Sequence, residues 1–233
     1  MPTTRATGEP TVEAVRVRRG AHRASYDADL VDAILDEALL CHVAFVSADG
    51  RPAVIPTLHA RDGDRLLLHG STGSRLALAA RRSPVPVSVA VTLLDGIVLA
   101  RSGLHHSMNY RSVVVVGEAT AISGEAAKHA ALDRVIEHIA PGRAAAVRPA
   151  TRREVAATEV LAVDLAHASA KVRSGGVADE PEDLDLPIWA GVLPLRMVAG
   201  TPRPEPDLPE GTALPEHVRR HPLVAAATAA AAR

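Results

Sequence analysis

One cysteine, two lysines and four aromatic residues are all that 233 positions hold of these types, and each scarcity excludes something. Cys41 stands alone, so neither an intrachain disulfide framework nor a cysteine zinc cluster can form. A reducing, cytoplasmic setting is expected. Tyr26, Phe45, Tyr110 and Trp189 are too few to build stacking platforms for single-stranded nucleic acid. The 26 basic and 27 acidic side chains leave a net charge of -1, with no global field to draw in a polyanion or an anionic bilayer. Residues Met1 to Pro10 lack the apolar stretch of a secretory signal. The run from Pro84 to Ala100 is broken at Asp95-Gly96, and no run nears the ~20 residues that span a membrane. No nucleic-acid partner and no membrane partner is therefore expected, and any anion must be bound locally. What is present is 47% hydrophobic and 23% charged, enough for a sizeable core of Val, Leu, Ile and Ala.

Residues Asp27 to Leu39 place Leu30, Ile34, Leu35 and Ala38 on one stripe, with Asp27 as N-cap, which predicts an opening amphipathic helix. Cys41 to Ser47 and Arg51 to Ala60 read as strands around Ala48-Asp49-Gly50, whose Asp-Gly step suits a tight hairpin. A second turn at Arg61 to Asp64 leads into a strand over Arg65 to His69. After the polar break Gly70 to Ser74 come a short helix over Arg75 to Ala80 and a strand over Val85 to Leu94. Asp95-Gly96 reads as another turn, returning through Ile97 to Arg101. Further strands are predicted at Ser112 to Ala121, Val160 to Leu165, Ala170 to Arg173 and Ile188 to Val198. A helix carrying Ala127, Ala131, Leu132, Val135 and Ile139 stops at Pro141-Gly142.

Strands joined by short hairpins, with helices as insertions, predict a mainly β fold with an antiparallel barrel rather than a doubly wound parallel sheet. Neither a Gly-x-Gly-x-x-Gly after a first strand nor a P-loop string is present, so dinucleotide-fold and P-loop readings lose their support. The expected organisation is a flexible N-terminus at 1–14, one domain over 15–199 and a Pro/Ala-rich arm over 200–233. That arm has little apolar surface with which to order itself. A short helix near Glu216 to Arg220 and the final alanine-rich segment are the parts able to dock on the partner subunit.

Three strings carry candidate chemistry. His69-Gly70-Ser71-Thr72-Gly73-Ser74-Arg75 puts small residues and hydroxyls at a strand end beside a guanidinium, which suits a phosphate; the same string also reads as a loop capped by Ser74. His105-His106-Ser107-Met108-Asn109-Tyr110-Arg111-Ser112 is dense in hydrogen-bond groups and equally reads as a solvated loop. Adjacent histidines without a nearby carboxylate make a poor metal site, so no metal is expected. Lys171, one of only two lysines, reads by itself as an edge-strand guard. Trp189 by default fills a core or an interface.

Taken together, these strings resemble the pyridoxamine 5'-phosphate oxidase-like superfamily, in its branch of nitroimidazole-resistance-type flavin-nucleotide-binding proteins. The resemblance runs from about Val15 to Leu195. It is carried by Arg18 to Asp27, Ile55-Pro56-Thr57, His69-Gly70-Ser71 with Ser74-Arg75, Leu94-Asp95-Gly96 with Ala100-Arg101-Ser102, His105 to Val113, and Lys171-Val172-Arg173 with Leu186 to Val192. It implies a six-stranded split β-barrel with flanking helices, a homodimer, and FMN at the subunit interface. Ser74 and Arg75 then resemble phosphate-binding residues, and His69 and Ser71 border them. Ile55, Pro56 and Thr57 resemble the strand that lines the isoalloxazine. Asn109, Tyr110, Arg111 and Ser112 fall near the phosphate or ribityl chain, contributed by either subunit, and Lys171 and Trp189 approach the ring. The C-terminal Trp with a downstream Arg-Leu-His clamp, which marks true pyridoxamine-phosphate oxidases, is missing and speaks against vitamin B6 oxidation. The implied activity is FMN-dependent oxidoreduction of a small electrophilic molecule such as a nitro compound. The alternatives are a non-catalytic flavin module, or a haem or deazaflavin protein with His105 or His106 on the iron.

Overall fold

The computed structural model describes residues 13–231, so the expected flexible N-terminus lies almost wholly outside the described residues. After a two-residue strand β1 (Ala24–Ser25), Asp27 accepts from the Leu30 N–H at 2.9 Å and opens α1 (Ala28–Glu37), which buries Val31, Ile34 and Leu35. β2 (Leu40–Val46), β3 (Pro52–Asp62) and β4 (Arg65–Ser71) follow as a meander. Its two turns are the predicted ones, with Gly50 at φ +77° and Gly63 at φ +60°, where a side chain would be strained. Then come α2 (Arg75–Ala80), β5 (Val85–Leu99), β6 (Ser107–Ala121), α3 (Glu125–Ile139) and α4 (Arg152–Ala157). The chain continues through β7 (Thr158–Asp164), β8 (Ala168–Arg173), β9 (Gly191–Pro194), α5 (Glu216–Arg219) and α6 (Pro222–Ala231).

Every strand pairing is antiparallel, and the strand order β1-β8-β6-β7-β4-β3-β2-β5-β9 is closed by a further pairing of β5 with β6. Six strands, β6-β7-β4-β3-β2-β5, thus form the expected ring. The split arises because long strands change partners along their length. β3 pairs with β2 over Pro52 to Leu58 and with β4 from His59 onward; β6 pairs with β8 over Tyr110 to Val115 and with β7 at Thr120 and Ala121. Val43, Val89, Val91, Val113, Val115 and Val163 fill the interior with Leu66, Leu68 and the buried face of α1. Outside the ring, α3 lays Ala131 and Val135 over Ala60, Leu67, Val160 and Ala162. Among the described residues, no helix is long and apolar enough to cross a membrane.

Asp95-Gly96 is not a turn: β5 runs through it, with an irregularity between Leu94 and Gly96. Gly96 serves close approach, since a Cβ there would lie 3.0 Å from Val192 Cγ1 and 3.2 Å from the Leu193 carbonyl oxygen of β9. Ser107 to Arg111, within the string that also read as a loop, are strand residues of β6, paired with β5. The last strand is shorter than Ile188 to Val198 and spans only Gly191–Pro194. α4 went unpredicted although its signal is local: Thr151 and Glu154 form a reciprocal capping box. The C-terminal segment docks on its own chain, where His221 Nε2 donates to the Ile139 carbonyl at 2.8 Å and the Ala199 N–H to the Leu223 carbonyl at 3.1 Å.

Candidate functional site

The end of β4 and the start of α2 build a tight polar corner. Ser74 N–H donates to the Ser71 carbonyl at 2.9 Å, and Gly73 N–H to Ser71 Oγ at 3.2 Å. Ser74 Oγ accepts from Ala77 N–H at 3.2 Å, which caps α2 and leaves the hydroxyl proton available to a ligand. Beside this corner lies a cleft of about 90 Å³. Ile55 and Thr57 of β3, His69 and Gly70 of β4, Ser74 and Ala77 of α2, and Glu159 and Leu161 of β7 line it with Val43, Leu68 and Leu76.

His69 is the chemically distinctive member. Its Nδ1 is buried with no hydrogen-bond partner, and burial lowers its pKa below the ordinary histidine value. Glu159 is 3% exposed, and Lys128 Nζ at 2.7 Å and Arg81 both pair with it. Burial would raise its pKa, but the hydrogen bonds and charges of Lys128 and Arg81 hold it below the usual carboxylate range. Glu159 was not foreseen, because it reaches the cleft through the β4–β7 pairing; a carboxylate amid the apolar run of β7 was its one sequence signal.

The predicted site residues fall into two groups. Ile55, Thr57, His69 and Ser74 share the cleft, with Ser71 in the same corner. Pro56 is exposed, between two inward-leaning neighbours on β3. Arg75 opens into an adjoining cleft with Ser47, Asp49 and Arg82. The second group lies along β6 and β8. Asn109 is buried and accepts from Arg173, and Ser112 Oγ donates to the Lys171 carbonyl at 3.3 Å. Half-buried Tyr110 stands between them, opposite Arg173. Arg111 is gripped by Glu37 and by Asp95 at 2.8 Å, and these carboxylates raise its pKa further. Lys171 Nζ donates to the Arg19 carbonyl at 3.0 Å. Trp189, 68% exposed, packs its ring against Gly191. His105 Nδ1 bonds Ser102 Oγ at 3.0 Å and His106 Nδ1 the Ser102 carbonyl at 2.9 Å, while His105 Nε2 stands 3.5 Å from Glu180.

Within one chain the two groups lie on different stretches of the sheet. His69 is in register with the far end of β6 through Leu161 and Ala121, whereas the cleft residue Val43 is in register, through Val89, with Val115, three residues from Ser112. Among the described residues, no group of three or more His, Cys, Asp or Glu could hold a metal ion.

Residues 27–172 match the family model described as pyridoxamine 5'-phosphate oxidase. Among solved structures, the flavocytochrome Anf3 of Azotobacter vinelandii is 38% identical, with a TM-score of 0.84 over 91% of this chain and 97% of its own. The FAD and heme binding protein of Mycobacterium smegmatis is 40% identical, with a TM-score of 0.80 over 84% of this chain and 96% of its own. A candidate 5-nitroimidazole antibiotic resistance protein of Bacteroides thetaiotaomicron, 22% identical, shares the fold with a TM-score of 0.54 over 64% of this chain and 86% of its own. A comparison with curated protein sequences gives no match.

Proposed function

Since the chain belongs to the pyridoxamine 5'-phosphate oxidase family, we propose that it is an oxidoreductase holding a flavin nucleotide and a haem where two copies of the chain meet. Two relatives similar over most of the chain, a flavocytochrome and a FAD and heme binding protein, support the pair of cofactors. The observation that carries the haem is His69: a half-buried imidazole whose buried Nδ1 has no partner, on a wall where Leu68, Leu76, Ala77 and Leu161 stand beside Thr57, Ser74 and Glu159. An imidazole nitrogen is a donor type that haem iron takes. His69 joins His105 and His106, whose bonds to Ser102 use only Nδ1, among the residues that could hold the haem.

The cleft is far below the ~300 Å³ at which ligand pockets begin. One protomer therefore offers a wall, and a second copy must bring the opposite one. The β6 group of that second copy, Asn109 to Ser112 with Lys171, is the natural complement. Ser74 donates its hydroxyl to the flavin phosphate, Arg75 supplies charge beside it, and Ile55 and Thr57 set the plane of the ring. When bound, the flavin exchanges one or two electrons and the haem one, which suits reduction of a small electrophile such as a nitro compound. FMN is the smallest nucleotide that meets these contacts; FAD shares them.

The absorption spectrum of the freshly purified chain tests this reading. Flavin bands together with a Soret band that shifts on reduction are expected, and His69→Ala should lose the Soret band while keeping flavin. Flavin without haem, even after haem is added, removes the haem half. A colourless protein that takes up neither removes the whole. Consumption of NAD(P)H in the presence of a nitroaromatic acceptor tests turnover, and its absence across a broad panel of acceptors leaves binding without catalysis.

A further inference from the structure

Where the C-terminal arm meets the barrel lies a cleft of about 800 Å³, inside the ~300–1,000 Å³ range of small-molecule pockets and far larger than the His69 cleft. Separate parts of the chain build it. Leu93 and Leu94 of β5 form one side with Arg111, which stands opposite Leu93 in the β5–β6 register. Leu195 and Met197 follow β9, where the Leu195 N–H donates to the Asp95 carbonyl at 3.0 Å and keeps this segment beside β5. Leu223 and Ala226 of α6 supply a further wall, held there by the bonds of Ala199 to Leu223 and of His221 to Ile139. Leu94 and Met197 are 50% and 70% exposed, apolar surface that no described residue covers. Four charged groups line the same cleft, and three of them are already matched. Arg111 Nε and Nη2 donate to the two carboxylate oxygens of Asp95 at 3.0 and 2.8 Å, while its Nη1 and Nη2 donate to the two oxygens of Glu37. Arg196 differs: it is exposed, and among the described residues its guanidinium has no hydrogen bond or ion pair.

We propose that this cleft binds a free aliphatic monocarboxylate of medium chain length, its carboxylate on Arg196 and its tail against Leu93, Leu94, Leu195 and Leu223. Charge complementarity selects the anion. An alkylammonium would meet Glu37 and Asp95 with all four oxygens taken, whereas a carboxylate meets a guanidinium fork open to two parallel bonds. The apolar walls select a hydrocarbon chain over a compact anion such as phosphate, because only the chain gains by leaving water there. The inference does not rest on the flavin reading, since neither His69 nor Ser74 lines this cleft. It also gives the docked arm a purpose, because without α6 the cleft loses the wall that carries Leu223 and Ala226.

Isothermal titration calorimetry on the full chain as purified tests this with octanoate, octanol and octylammonium, and with hexanoate and decanoate for chain length. Octanoate should bind roughly 10-fold or more tightly than octylammonium, and each added CH₂ should raise affinity about threefold to fourfold. Arg196→Gln should weaken octanoate roughly 5- to 10-fold and leave octanol within about a factor of two, while Arg196→Lys should keep most of the difference between acid and alcohol. Ala226→Phe, which pushes a ring into the cleft from an exposed position on α6, should weaken acid and alcohol alike. No decanoate binding up to about 1 mM overturns the inference. So does octylammonium that binds as tightly as octanoate, or octanoate affinity that is unchanged in Arg196→Gln or in Ala226→Phe. Decanoate that is released by added FMN shows that the cleft belongs to the nucleotide site, which also overturns the inference and leaves the flavin reading standing.

Discussion

Acid should loosen this fold at one identifiable side chain. His59 is 0% exposed, its Nε2 donates to the Leu35 carbonyl at 3.0 Å at the end of α1, and its Nδ1 is buried without a partner. The ring of His138 sits 5.1 Å away and itself donates to the Ala38 carbonyl at 2.8 Å. Burial pushes the His59 pKa down from 6.5 to about 4, with His138 adding repulsion against the Leu35 bond and Asp36, which pull the other way. The unfolded chain therefore binds a proton in a range where the native chain does not. The stability contribution is intact above pH 6.5 and is lost as pH falls through that value toward 4. The full loss is about 3 kcal/mol, with about 2 kcal/mol already gone at pH 5. His59→Gln keeps an N–H for Leu35 but cannot titrate. Urea unfolding of both proteins at steps from pH 7.5 to 4.5 should show the wild type losing about 2 kcal/mol more than the variant by pH 5. Groups shared by the two proteins cancel in that difference. Parallel curves would refute the assignment, because they would mean that His59 charges as readily inside the barrel as outside it.

Three further outcomes are expected. Arg75→Ala should weaken flavin binding by about 1.5–3 kcal/mol, a roughly 10- to 150-fold rise in Kd by fluorescence titration, and an unchanged titration would take Arg75 out of the site. Gly96→Ala should drive a methyl group into Val192 and the Leu193 carbonyl and cost about 1–3 kcal/mol; a Tm equal to that of wild type would show that β9 yields freely. Cys41 is buried, and burial pushes its thiol up to about 12. It should stay silent to a disulfide reagent at pH 8 until the protein unfolds, so rapid stoichiometric labelling of the native chain would contradict its placement.

What could be read from the sequence was whatever is decided within about one turn of chain. Asp49-Gly50 and Asp62-Gly63-Asp64 placed two hairpins because positive φ is a local demand, and Asp27 and Ser74 marked helix starts because a cap reaches only three residues ahead. Asp95-Gly96 offered the same local signal but is bridged by strand, since the approach of β9, almost a hundred residues later, uses that glycine differently. Thr151 and Glu154 were legible and were passed over. The same rule divides the site. Thr57, His69 and Ser74 gather because β3, β4 and α2 are consecutive and closely paired, so a string of neighbours becomes a wall. The roles of Arg111, tied to Glu37 across 74 positions, and of Glu159, tied to Arg81 across 78, depend on closure of the barrel, which no local pattern encodes. The grip of Glu37 and Asp95 on Arg111 bears directly on the flavin reading. A guanidinium already matched by two carboxylates adds little net attraction for a phosphate, so the charge that recruits the nucleotide must come from arginines the fold leaves unpaired. Arg75 and Arg82, on the far side of the corner from His69, are two such arginines among the described residues.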